Sequence, residues 1–169
     1  MGKTSFVGPV RSKNGFKLYS IDADSGVEND IATYGSAPVA LSDGSETLSN
    51  TTHSGRMLMV PDGTQDNTYT LPTPIAGSMF KFVYIGGAAD ATDFIVNTGA
   101  DANFFIGGLA FDDTDDGAAS VVFSDGNSNS KIQVNVPQAA EVTIYAKDGT
   151  NWYISGRVTG ATAPAFADQ

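Results

Sequence analysis

The chain has 169 residues, a formal net charge of −10, 41% apolar and 17% charged residues, and 19 glycines. That is a globular composition for one domain, long enough to bury about 70% of its unfolded surface without covalent staples. The lack of cysteine excludes disulfides, thiolate catalysis and zinc–thiolate sites, the acidic balance argues against binding a nucleic-acid backbone, and no run approaches the roughly 18 apolar residues of a membrane span.

Residues 1–20 read as an extended arm. Gly8-Pro9 and Asn14-Gly15 are turn signals, and Phe6, Val7, Val10, Phe16 and Leu18 keep no sustained period. Residues 1–15 lack the apolar core of a secretion signal. Charge is uneven. Lys3, Arg11, Lys13 and Lys17 precede the first acidic residue, Asp22, and leave −14 for the rest of the chain. Four charges could be chance or could mark a docking segment.

Residues 22–50 are rich in Gly, Ser, Ala and Asp, with room for short strands near 31–34 and 38–41. Residues 56–60 form an apolar run that stops at Pro61-Asp62-Gly63. In 67–71, Tyr69 and Leu71 share one face. Residues 78–85 set Phe80, Phe82 and Tyr84 against Lys81, Val83 and Ile85, the pattern of a central strand. Short strands follow at 94–96, 104–106 and 118–123. Residues 131–136 point Ile132, Val134 and Val136 inward, and residues 141–146 do so with Val142, Ile144 and Ala146. The Lys147-Asp148-Gly149-Thr150 turn leads into 151–158, where Trp152, Ile154 and Gly156 share a face. Residues 160–169 are Ala-rich and read as a flexible tail. Roughly seven to nine short strands with frequent turns, and no helical stripe or fixed-period repeat, predict an all-β chain: a β-sandwich or jelly-roll-like antiparallel domain over 21–159, between the arm (1–20) and the tail (160–169).

Motifs for chemistry are incomplete. Gly2-Lys3-Thr4 lacks the strand and earlier glycine that a phosphate loop requires. Asp112, Thr114, Asp116 and Gly117 mimic the start of a calcium loop, but Phe123 stands where the closing acid belongs, so a solvated acidic tip is expected over a looser calcium site. His53, the sole histidine, reads as a surface loop residue, since no serine sits in a nucleophile elbow. Asn50-Thr51-Thr52 fits a glycosylation acceptor but no secretion signal supports it. Trp152, Tyr153, Tyr145 and Tyr69 could stack on sugars, although alternation places Trp152 with the core. No catalytic, cofactor-binding or metal-ligating set emerges, and an enzyme is not expected.

Two stretches carry a resemblance. Ser5-Phe6-Val7-Gly8-Pro9-Val10-Arg11-Ser12-Lys13-Asn14-Gly15-Phe16 is similar to the start of small virion structural proteins of tailed phages, especially those infecting marine cyanobacteria. Thr70-Leu71-Pro72 with Ala76-Gly77-Ser78-Met79-Phe80-Lys81-Phe82, and Asp148-Gly149-Thr150-Asn151-Trp152-Tyr153, resemble the strands and closing hairpin of phage capsid and tail β-modules. Together they span about a third of the chain.

The resemblance implies a capsid decoration (cement) protein on the outer surface of a phage head, bound to the major capsid protein or other virion subunits. It also implies a homo-oligomer, a trimer in that family, and involves neither nucleic acid nor membrane. The aromatic load of Phe80, Phe82, Tyr84, Phe94, Phe104, Phe105 and Phe111 suggests the same, because strands apolar on both faces need a cover. Lys3, Phe6, Val7, Val10, Arg11, Lys13, Phe16 and Lys17 are the expected anchors. The alternative is a head-fibre or tail-fibre adhesin module for host glycans, for which Trp152 would have to be exposed.

Overall fold

The computed structural model describes residues 15–21, 24–34, 37–84 and 92–169. The described strands are, in order, β1 Phe16–Ile21, β2 Glu28–Tyr34, β3 Val39–Ala40 and β4 Glu46–Thr47; one helical turn, α1 Asn50–His53, precedes β5 Met57–Val60, β6 Asn67–Thr70 and β7 Met79–Tyr84. Then come β8 Phe94–Asn97, β9 Phe104–Asp113, β10 Ala119–Phe123, β11 Lys131–Val134, β12 Pro137–Ala146, β13 Asn151–Gly160 and β14 Ala165–Ala167. The chain is all-β, as its alternation predicts. Along β7 and β12 every second side chain is buried, following Phe80, Phe82, Tyr84 and Val142, Ile144, Ala146.

Two sheets face each other across one core. The larger has the order β10-β9-β13-β12-β7-β5-β3 and the smaller β14-β11-β8-β6-β4, while β1 and β2 form a separate ribbon. The strands are not purely antiparallel as expected. From β3 to β8 the chain steps from one sheet to the other at each strand. Successive strands within one sheet therefore run the same way: β3 with β5, β5 with β7, β4 with β6 and β6 with β8 are all parallel pairs. Each return through the opposite sheet reverses direction twice. The pair β13 and β9 is parallel as well, over ten residues of each strand.

Aromatic rings fill the gap between the sheets. Tyr69 meets Phe82 at 6.1 Å between centroids, Tyr84 stacks on Phe94 at 6.4 Å, and Phe105 meets Phe166 at 6.2 Å. Trp152 packs edge-on against Phe80 within the larger sheet. Phe80, Phe82, Tyr84, Phe94, Phe105 and Phe111 are thus all buried in this one chain, with only Phe104 partly exposed. Burying each such ring stabilises the fold by about 1.5–3 kcal/mol. Their number therefore needs no second subunit to account for it.

Three local expectations change. Val136 does not continue β11: its backbone turns to φ 36°, and the chain bends directly into β12 at Pro137. Residues 160–169 are not a free tail. β14 pairs with β11, Phe166 opposite Ile132, and Phe166 rests against the core. The expected arm also ends differently, since Phe16 onward belongs to the β1–β2 ribbon across the anticipated boundary at residue 20.

Candidate subunit-docking surface

The ribbon is half-docked. A two-stranded ribbon alone is marginally stable in water and needs support. Here β2 has that support: Ala32 is buried, Thr51 Oγ1 donates to Asp30 Oδ2 at 2.8 Å, and Ile31 lies beside Gly77. Arg56 ties α1 to the chain after the ribbon, with Nη1 donating to the Thr52 carbonyl and Nε to the Ala37 carbonyl, each at 3.0 Å. Lys17 Nζ approaches Asp30 Oδ1 at 2.6 Å, and this ammonium, with the Thr51 hydroxyl, holds the Asp30 carboxyl below its usual range.

Among the described residues β1 has no such cover. Phe16 and Leu18 on one face of the strand and Tyr19 and Ile21 on the other all remain open, Ile21 at 61% exposure, while the register shift opposite Leu18 and Tyr19 leaves Ile31 of β2 as the extra residue. Val27, entering β2, is open too. The remaining exposed large apolar side chains among the described residues are Met57, Val121, Phe123 and Tyr145. All four lie on the outer face of the seven-stranded sheet. Strand register gives its rows. Met79, Tyr145, Tyr153 and Ile106 lie side by side, and Met57, Lys81, Thr143, Ser155, Gly108 and Phe123 form the next row. Tyr145 and Tyr153 stack with centroids 5.2 Å apart and rings within 8° of parallel. Phe123, 70% exposed, lies over Gly108, where a Cβ would meet its ring at 2.8 Å.

Charge on this face is internally neutralised. Lys81 Nζ pairs with Glu141 Oε1 at 2.8 Å, and Arg157 pairs with Asp112, which holds the Asp112 carboxyl down and the guanidinium up from their ordinary values. A shallow depression of about 470 Å³ between Val83, Ala139, Glu141, Arg157 and Thr159 is therefore lined by charges already paired. Chemically, the ribbon and this face offer apolar contact at the surface of a strongly acidic molecule.

His53 is not the surface residue expected. It is 6% exposed at the end of α1, with Nδ1 accepting from the Ser49 N–H at 2.9 Å and Nε2 3.3 Å from Glu46 Oε1. Ser49 Oγ is 3.5 Å from Nδ1 and accepts from the Thr52 N–H as helix cap. With Nδ1 filled by a backbone donor, the imidazole cannot take a proton from that serine. The trio fastens α1 to the preceding loop.

The acidic tips are turn caps. Asp113 Oδ1 accepts from the Asp115 N–H and Asp116 Oδ1 from the Ala118 N–H, both at 2.8 Å. Asp125 accepts from the N–H groups of Asn127, Ser128 and Asn129, which pushes its carboxyl far below the usual range. Among the described residues no three acidic or imidazole groups converge as a metal cluster.

Of the anchors read from sequence, Phe16 and Lys17 stand on β1; Lys3, Phe6, Val7, Val10, Arg11 and Lys13 lie outside the described residues. Leu18, Tyr19, Ile21, Val121 and Phe123 were missed as surface residues. Only the run of large side chains in 16–21 beside short polar turns hinted at them. No family model, curated protein or solved structure matches the chain.

Proposed function

We propose that this chain is a structural subunit of a virion, of the capsid decoration type, which docks on neighbouring protein subunits through β1 and the outer face of its seven-stranded sheet. The observation that carries the reading is the segregation of exposed apolar side chains: the core is complete within the chain, yet Phe16, Leu18, Tyr19 and Ile21 stand open on one ribbon. Large exposed apolar clusters on an otherwise polar surface mark interaction sites. Covering four half-exposed side chains is worth a few kcal/mol, about half of the 1.5–3 kcal/mol each gives on full burial. The Lys17–Asp30 pair is solvent-screened and already formed within the chain, so it contributes little to docking. Apolar contact therefore dominates.

The virion and the head surface are supported by the resemblance of residues 5–16, 70–72, 76–82 and 148–153. Burial of Trp152 supports a scaffold over a sugar-stacking platform. The test is co-sedimentation with phage heads lacking the protein. The Leu18→Asp/Ile21→Asp variant should fold with unchanged circular dichroism and bind at least tenfold more weakly. Full binding by that variant would remove β1 from the interface.

A further inference from the structure

The two packed sheets end in four edges, and three are short: β3 and β4 have two residues each and β14 three; the two strands of the β1–β2 ribbon are longer but carry Lys17, Glu28 and Asp30. The fourth, β10, has five residues, Ala-Ser-Val-Val-Phe, without a charge or a proline. Proteins ordinarily blunt such edges with lysine, proline or a bulge, because a free ladder recruits another strand. The phase of this ladder is fixed. The Ser124 N–H donates to the Gly107 carbonyl at 3.0 Å and the Asp113 N–H to the Ala118 carbonyl at 2.8 Å. Even-numbered residues of β10 therefore bond to β9, and the backbone groups of Ala119, Val121 and Phe123 face outward. None of these groups meets a partner among the described residues, and Val121 and Phe123 also expose their side chains.

Charge selects the occupant. One end of β10 adjoins Asp113, Asp115 and Asp116, and the other adjoins Asp125. A second β10 added antiparallel would bring acidic tip against acidic turn, a like-charge contact. Residues 1–14 carry Lys3, Arg11 and Lys13 and no acid. We propose that residues 1–14 of one copy add as a strand to the open edge of β10 in a neighbouring copy. Thr4 to Gly8 matches β10 in length, and Pro9, with no N–H, ends the ladder. Phe6 and Val7 point to opposite sheet faces, so in either register an apolar side chain lies beside Val121 and Phe123. Lys3, Arg11 and Lys13 then flank the acidic ends. Fourteen extended residues reach roughly 46 Å, enough to cross between subunits. The apolar side chains of β1 follow immediately, and the same neighbour covers them as the segment passes over.

This deepens the subunit-docking reading by naming one partner as a second copy. It is tested on the purified full-length chain without particles, so failure here leaves the co-sedimentation result standing. Because the chain has no cysteine, Phe6→Cys or Val7→Cys protein can be mixed with Val121→Cys protein under mild oxidation. The expected product is a disulfide-linked dimer of unlike chains, in excess over either homodimer. Val121→Pro removes only an outward N–H, so it should keep the native spectrum while weakening self-association at least tenfold in sedimentation velocity. Arg11→Glu/Lys13→Glu should weaken it likewise, most at low salt. A predominant Val121→Cys homodimer would mean that β10 pairs with β10 and would overturn the proposal. So would closure of a Phe6→Cys/Val121→Cys double variant within one chain in place of linking two. A native chain that is monomeric at high micromolar concentration, or that associates undiminished with Val121→Pro, would overturn it as well.

Discussion

Single residues set the distances at which the strands lie. A Cβ on Gly156 would fall 2.2 Å from the Glu141 carbonyl oxygen and 2.9 Å from the Val142 Cα, both backbone atoms that cannot step aside. Gly156→Ala must push β13 away from β12 and should destabilise the protein by about 1–3 kcal/mol or more, read as a shift in the urea midpoint. Gly149→Ala, in the β12–β13 turn with open space around it, is the control and should change stability by less than about 0.5 kcal/mol. Asp125 acts in the other direction, by gathering N–H groups. Asp125→Ala should lower the melting temperature, and Asp125→Asn, which keeps one acceptor oxygen, should lower it less. Equal losses for the two would show that charge, not acceptor geometry, holds that turn.

At the scale of elements, periodicity was a good guide to where strands lie and a poor one to what they pair with. β7, β11, β12 and β13 were legible because apolar side chains recur every second residue and bury on one face. Period two carries no information about partner or direction, so neither the parallel pairing of β13 with β9 nor the alternation between sheets from β3 to β8 could be read. The spacing between successive strands there is irregular, which hid the winding. β2 was only partly visible, since Glu28-Asn29-Asp30 has low strand propensity and is held by Lys17 and Thr51. β10 was legible as a strand, but its all-apolar Val121-Val122-Phe123 does not show that it stands at an edge. β14 offered one anchor, Phe166, between alanines. Phe166→Ala should therefore release β14 and destabilise by about 1–2 kcal/mol, less than a fully buried phenylalanine because the ring is only partly covered. An unchanged urea midpoint would mean that β14 contributes nothing to the body.

For the whole molecule, acidity shapes the stability profile. Asp30, Asp112, Asp125 and Asp148 all have carboxyls held below the ordinary value of 3.8 in the folded chain. A lowered folded value means the unfolded state binds protons more readily, so these groups stabilise the fold above the unfolded value and lose that contribution as pH falls toward the folded ones. The urea midpoint should be nearly flat from neutral pH down to about 5 and fall below about 4. Salt should weaken the shares of Asp30 and Asp112, which rest on ion pairs, more than those of Asp125 and Asp148, which rest on local backbone donors. A midpoint that rises on acidification would mean that repulsion within the −10 chain outweighs these contacts.

The central claim, that β1 and the outer face of the seven-stranded sheet are the docking surface, is tested most directly by amide hydrogen exchange on the chain free and bound to phage heads. In the free chain, diluted until it is monomeric, β1 should exchange faster than β7, β12 and β13, which are paired on both sides. On the heads, protection should rise at residues 16–21, together with 57–59 and 119–123, and remain unchanged on the five-stranded sheet. Protection confined to β4, β6, β8, β11 and β14, or no change at residues 16–21 in a chain that has bound, would contradict the account.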